Sequence, residues 1–234
     1  MRFATGLLAA SAALFFCAAG WSEIVIVHLG DSITSTIYLK PEQKIDAVLG
    51  LILAQKYKGG DFRNINLARD GEWVESFLKS RYEQVLRKQV QKADVFIIRY
   101  GTNDAQHDKT PETFTEDLRD LVGRVWKDYP GCTVILGTGP HIAGLPWNNE
   151  HQYGPMWRAI RELGAADRIP VADVYARFEA EHKDGKTVLG KNDNPKDIHP
   201  NAKGVAITAE EIMKVLSPVL EGKFGLKPQE GAVH

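Results

Sequence analysis

Five short, mostly apolar runs punctuate the chain, separated by longer stretches in which apolar residues recur every three or four positions. The first run is Ile24-Val25-Ile26-Val27-His28-Leu29, followed by a loop and a helical pattern around Gln43 to Lys56. The second, Asn64-Ile65-Asn66-Leu67, precedes a helical pattern from about Val74 to Gln91, and the third is Asp94-Val95-Phe96-Ile97-Ile98-Arg99-Tyr100. Thr110-Pro111 marks a helix start, with Thr as the capping side chain and Pro at the first helical position, where its missing N–H costs nothing. The fourth run spans Cys132 to Leu136 and the fifth Val171 to Val174, with a helix near Gly154 to Leu163 between them. A last helix, about Ala202 to Leu220, gathers Val205, Ile212, Val215, Leu216 and Val219 on one stripe. Buried strands alternating with helices predict a five-stranded parallel sheet covered on both faces. Ligands of such sheets bind beyond the carboxyl ends of the strands, so the residues following each run are where chemistry is expected.

Gly30-Asp31-Ser32-Ile33-Thr34 follows the first run, Ala68-Arg69-Asp70-Gly71-Glu72 the second and Gly101-Thr102-Asn103-Asp104 the third, and Asp197-Ile198-His199-Pro200-Asn201 stands just before the last helix. A parallel sheet would gather these four distant segments along one edge. Together they offer a hydroxyl, a backbone amide with no side chain in the way, a carboxamide and an imidazole, the parts of an acyl-transfer site. A serine hydroxyl needs a positioned base to become a nucleophile, and histidine is the usual base near neutral pH. Attack on an ester carbonyl makes an oxyanion that needs fixed donors, and the amides of Ser32 and Gly71 with the Asn103 side-chain NH₂ provide three candidates. A carboxylate on the far ring nitrogen of His199 would fix its tautomer. The plainer roles are a helix cap for Ser32, a positive backbone φ at Gly71, an Asx turn at Asn103 and loop bracing for Asp31 and Asp104.

These blocks, in this order from Glu23 to the last helix, resemble the four signature blocks of SGNH (GDSL-type) hydrolases, with carbohydrate acetylesterases of that superfamily the most similar in feel. The resemblance implies a three-layer α/β/α, flavodoxin-like fold and a serine esterase needing no metal or organic cofactor. It makes Ser32, Gly71, Asn103 and His199 the signature residues, with Ser32, His199 and Asp197 catalytic and Ser32, Gly71 and Asn103 forming the oxyanion hole. One departure stands out: the family's acid usually lies three positions before the histidine, and here that position is Lys196, with Asp197 two before. Asp197 is the expected third member; Asp193 on the same loop and a backbone carbonyl are the alternatives.

Composition narrows the setting. Lys and Arg (29) nearly balance Asp and Glu (30) and are interspersed with them, so no basic surface points to nucleic acid. Arg2 followed by the apolar run Leu7 to Ala19 and small residues at Ala18-Ala19-Gly20 reads as a signal peptide over residues 1–20, leaving 21–234 as a single hydrolase domain that is secreted or periplasmic, with no stable membrane insertion after processing. Cleavage there removes Cys17, leaving Cys132 as the only cysteine and no internal disulfide. His28, His107, His141, His151 and His182 lack metal-ligand spacing, and the chain has no Gly-x-Ser-x-Gly elbow, phosphate loop or dinucleotide fingerprint. The loop His141 to Asn149, with Trp73, Tyr153 and Trp157, offers aromatic faces to a sugar. The expected substrate is therefore a small-molecule or glycan ester, an O-acetyl group on a carbohydrate first, with a lysophospholipase- or thioesterase-like lipid or aryl esterase as the alternative and a non-catalytic carbohydrate-binding relative as the third.

Overall fold

The computed structural model describes residues 22–141, 150–181, 188–189 and 197–229. The expected signal peptide, the stretch 142–149, Asp193 and Lys196 lie outside them. In chain order the elements are β1 (Ile24–Gly30), α1 (Ser32–Ser35), α2 (Ile45–Lys56), β2 (Phe62–Asn66), α3 (Val74–Ser80), β3 (Val95–Arg99), α4 (Thr102–Gln106), α5 (Pro111–Asp128), β4 (Thr133–Gly137), α6 (Glu150–Asp167), β5 (Val171–Ala172), α7 (Val174–Glu181) and α8 (Ala202–Phe224). A 3₁₀ turn at Pro41–Gln43 precedes α2, and a π-helical turn at Tyr82–Arg87 follows α3.

All five strands are parallel and lie in the order β2-β1-β3-β4-β5. This is the flavodoxin-like order, whose direction of progression reverses between β1 and β3 and leaves a crevice there at the carboxyl edge. Every residue of β1 is buried, as a strand covered on both faces requires. Its side chains alternate between two cores. Val25, Val27 and Leu29 face one that includes Phe77, Leu118, Val122 and Trp157, on the side of α3, α5 and α6. Ile24 and Ile26 face a second that includes Leu49, Leu53, Ile212 and Leu216, from α2 and α8. Cys132 is partly buried against the first core, and burial pushes its thiol up to about 11.

Local signals set the boundaries. Thr110 caps α5 by accepting the Thr113 N–H at 3.3 Å, and Pro111 opens the helix. Asn201 caps α8 by accepting the Gly204 N–H at 3.0 Å, and Gly225 ends that helix with φ +66°. The first turn of α8 also packs onto Val188. The Asn201 N–H donates to the Val188 carbonyl at 3.0 Å, and a Cβ on Gly204 would stand 2.1 Å from that same oxygen. Among the described residues, no helix is long and apolar enough to cross a membrane, and no group of three or more His, Cys, Asp or Glu side chains is placed to hold a metal.

Candidate active site

The sharp exit from β1 is built by Asp31. Its Oδ1 accepts the Ile33 N–H at 2.9 Å and so caps α1, leaving Ser32 as the first helical residue, half-buried at the mouth of the crevice. The N–H of a first helical residue has no partner within its own helix, so the Ser32 amide is left for a ligand. Asp31 is 1% exposed, and burial lifts its carboxyl to about 7 against the backbone hydrogen bond and the nearby Arg99 guanidinium, which lower it. Arg99, at the end of β3, is itself buried, and its charge is pushed down to about 10 by desolvation while Asp31 supports it.

His199 arrives from the far end of the chain. Its Nε2 lies 2.8 Å from Ser32 Oγ, across 167 residues of sequence. Its Nδ1 hydrogen-bonds to Asp197 Oδ1, and the same oxygen accepts the His199 backbone N–H at 2.8 Å. This double contact explains how an aspartate only two residues upstream reaches the ring: the carboxylate folds back in an Asx-type turn, which aims it at its own loop. Tyr38 supports the arrangement from below, donating to the Pro200 carbonyl at 2.9 Å and setting its ring edge-on to the imidazole, with centroids 5.3 Å apart.

The other two candidate donors stand in the loops after β2 and β3. Gly71 has φ +74° and is exposed, a conformation that turns the backbone where a side chain would be strained. Asn103, the second residue of α4, spends one N–H on the Glu72 carbonyl at 3.1 Å, which ties the loop after β3 to the loop after β2 and leaves its second N–H for a ligand. Asp104 has a purely structural post: its two oxygens accept the Val74 and Gly101 amides, each at 3.0 Å, and burial raises it to about 6. The structure thus joins Ser32, His199 and Asp197 by hydrogen bonds, and carries Gly71 and Asn103 on the loops that leave the same edge of the sheet after β2 and β3. It adds Tyr38 and the Glu72 carbonyl, which no spacing in the sequence announced.

Two recesses adjoin this edge. One is polar and open, bounded by Arg69, Asp70, Gly71, Glu72, Trp73 and Ser76. The Trp73 ring there stacks on His107, centroids 3.7 Å apart. The other is small and apolar, walled by Ile33, Thr102, Pro140, Tyr153, Trp157 and Ile198. Of the aromatic residues considered as a sugar platform, Trp157 and Tyr153 are almost wholly buried and only Trp73 borders the polar recess.

The sequence profile of the GDSL-like lipase/acylhydrolase family matches residues 28–207, spanning every block described above. The chain belongs to this family. It is a carboxylic ester hydrolase of the SGNH type, and its parallel sheet has the family's architecture. No curated protein sequence matches it. Among solved structures it is similar to a lipase/acylhydrolase from Enterococcus faecalis, at 25% identity and TM-score 0.67, covering 89% of this chain and 100% of that one. A GDSL-like lipase from Parabacteroides merdae shares the fold at 20% identity and TM-score 0.70, covering 83% and 95%. So does an acetylxylan esterase from Geobacillus stearothermophilus, at 21% identity and TM-score 0.64, covering 82% and 94%.

Proposed function

We propose that this GDSL-type hydrolase is an exported serine esterase that removes small acyl groups, O-acetyl above all, from carbohydrates. The observation that carries the reading is the relay Ser32 Oγ to His199 Nε2 at 2.8 Å, with Asp197 on the opposite ring nitrogen. With Nδ1 donating to the carboxylate, Nε2 is the lone-pair nitrogen and takes the serine proton as Oγ attacks the ester carbonyl. The tetrahedral oxygen gains negative charge and is received by the Ser32 and Gly71 amides and the free Asn103 N–H. Each such donor is worth roughly 3–4 kcal/mol of barrier. The imidazolium, steadied by Asp197, passes its proton to the departing alcohol, leaving the acyl group on Ser32. A water activated by the same imidazole then releases the acid and restores the hydroxyl. Nothing in this sequence of steps calls for a metal or cofactor.

The polar recess beside Gly71 supports a carbohydrate as the alcohol. Arg69, Asp70 and Ser76 offer hydrogen bonds to hydroxyls, and Trp73 brings an aromatic ring. The likeness to an acetylxylan esterase agrees with this. Export rests on the n-region and apolar run of residues 1–20; sequencing the N-terminus of protein recovered outside the cytoplasm tests it.

Ser32→Ala should abolish release of acetate from acetylated oligosaccharides and from aryl acetates, a loss of roughly 10⁴-fold or more in kcat, while the folded spectrum is retained. A Ser32→Ala protein with wild-type turnover would exclude the mechanism. A wild-type enzyme that ignored acetylated sugars but cleaved long-chain lipid esters would replace the carbohydrate reading with the lipid one.

A further inference from the structure

The apolar recess next to Ser32 has a feature that the ester-hydrolysis scheme leaves unused. Its walls are direct chain neighbours of three groups in that scheme: Ile33 follows Ser32, Thr102 precedes Asn103, and Ile198 precedes His199. We propose that this recess receives the acyl group of the ester, and that Trp157 limits that group to acetyl; the inference rests on Ser32 as nucleophile.

Three observations support it. The first is size. The recess is small, a cavity of about 10 Å³, which is room for about one small group. A space of this size suits a methyl, and a propyl chain would need the walls to move.

The second is how Trp157 is held. It stands on α6, 2% exposed, with the far edge of its indole pressed between the ends of two neighbouring strands. A Cβ on Gly101, just after β3, would lie 2.6 Å from Trp157 Cζ3, and one on Gly139, just after β4, 2.4 Å from Cζ2. The ring occupies space that only two glycines leave open, so it cannot swing aside toward the sheet to admit a longer chain. Its Nε1 makes no hydrogen bond among the described residues, so the side chain is placed by shape rather than by a polar tether.

The third is the position of the two recesses. The strand order places β1, which delivers Ser32, between β2 on one side and β3 with β4 on the other. The polar recess belongs to the loop after β2; four walls of the apolar one come from the segments after β3 and β4 together with α6, and the other two, Ile33 and Ile198, adjoin Ser32 and His199 in the chain. An ester carbonyl at Ser32 carries two substituents, and the site offers two unlike recesses on opposite sides of it. Hydroxyl groups forced into the apolar recess would lose hydration without gaining partners, so the sugar goes to the β2 side and the acyl group to the Trp157 side.

The test is kcat/KM for p-nitrophenyl acetate, butyrate and hexanoate with wild type, Trp157→Ala and Trp157→Leu, the leucine variant keeping apolar contact with Gly101 and Gly139 should the alanine variant fail to fold. A single methylene is worth roughly 10–200-fold in a closed apolar pocket. Wild type should therefore fall at least tenfold from acetate to butyrate, and the variants should raise the butyrate-to-acetate ratio at least tenfold. A folded variant that lowers all three esters equally, or a wild type that prefers hexanoate, overturns the acyl assignment while leaving Ser32 esterase chemistry standing. Failure of the wild type to turn over any of the three overturns both.

Discussion

The contact between Asp197 Oδ1 and two donors of His199 makes the acid part of the loop as well as a partner of the ring. Asparagine in its place can still accept the backbone N–H, so the loop keeps its turn, but its amide cannot steady a charged imidazolium. Asp197→Asn is therefore expected to lower kcat, and to lower it less than His199→Ala, which removes the base altogether; initial rates on an aryl acetate at saturating substrate decide the order. Asp31 gives a prediction of a different kind. Folded, its carboxyl holds a proton up to about pH 7, whereas the unfolded chain loses it near the ordinary value of 3.8. Between these limits the native state binds more protons than the unfolded one, so wild-type stability falls as pH rises through that window. Asp31→Asn keeps an oxygen for the Ile33 amide and does not ionise. Its urea midpoint should rise relative to wild type between pH 4 and 7, with a constant difference above that; a difference that does not change with pH would show that the Asp31 charge is not set by its burial. At this scale the residue types and their strand-end positions were legible in the sequence. Tyr38 was not, because a tyrosine that bonds a carbonyl 162 residues away leaves no local pattern.

At the scale of elements, periodicity identified most of the scaffold and misjudged where some elements change character. The apolar runs became β1, β3 and β4 almost as read, because strands buried on both faces read as near-continuous apolar runs. β2 begins earlier than expected, at Phe62, and its half-buried pattern shows why: it is the edge strand, and its polar residues hid the start. The single helix expected over Val74 to Gln91 is α3 followed by a π-helical turn, a change in hydrogen bonding that leaves the apolar spacing nearly intact. α1, α4 and α7 are short and follow strand ends directly, and were not anticipated. α8 runs past Leu220 to Phe224, where Gly225 stops it. Two glycines of that helix separate packing from propensity. Gly204→Ala would push a methyl into the Val188 carbonyl and should cost about 1–3 kcal/mol. It should also reduce turnover, since it shifts the clip that holds the segment behind His199. Gly222, where an added Cβ meets nothing within 4 Å, should instead gain up to about 1 kcal/mol as alanine. Thermal melts of the two variants, expected to move in opposite directions, check the contrast.

For the molecule as a whole, the parallel sheet with its reversal of strand order between β1 and β3 brings four distant segments to one edge, and this was foreseeable once the runs were taken as parallel strands. The two recesses were not foreseeable, since they depend on how α6 seats against the ends of β3 and β4. The half-buried thiol of Cys132 has a consequence for handling the protein. Past the proposed leader it has no second cysteine to join, and with burial pushing its thiol up to about 11 little of it is thiolate at neutral pH. Residues 21–234 should melt at the same temperature with and without dithiothreitol, and a large drop would mean that chains are joined in pairs through this sulfur. Folding of residues 21–234 asks for no oxidant and no disulfide isomerase, so the shape can be reached as readily in a reducing compartment as in an oxidising one.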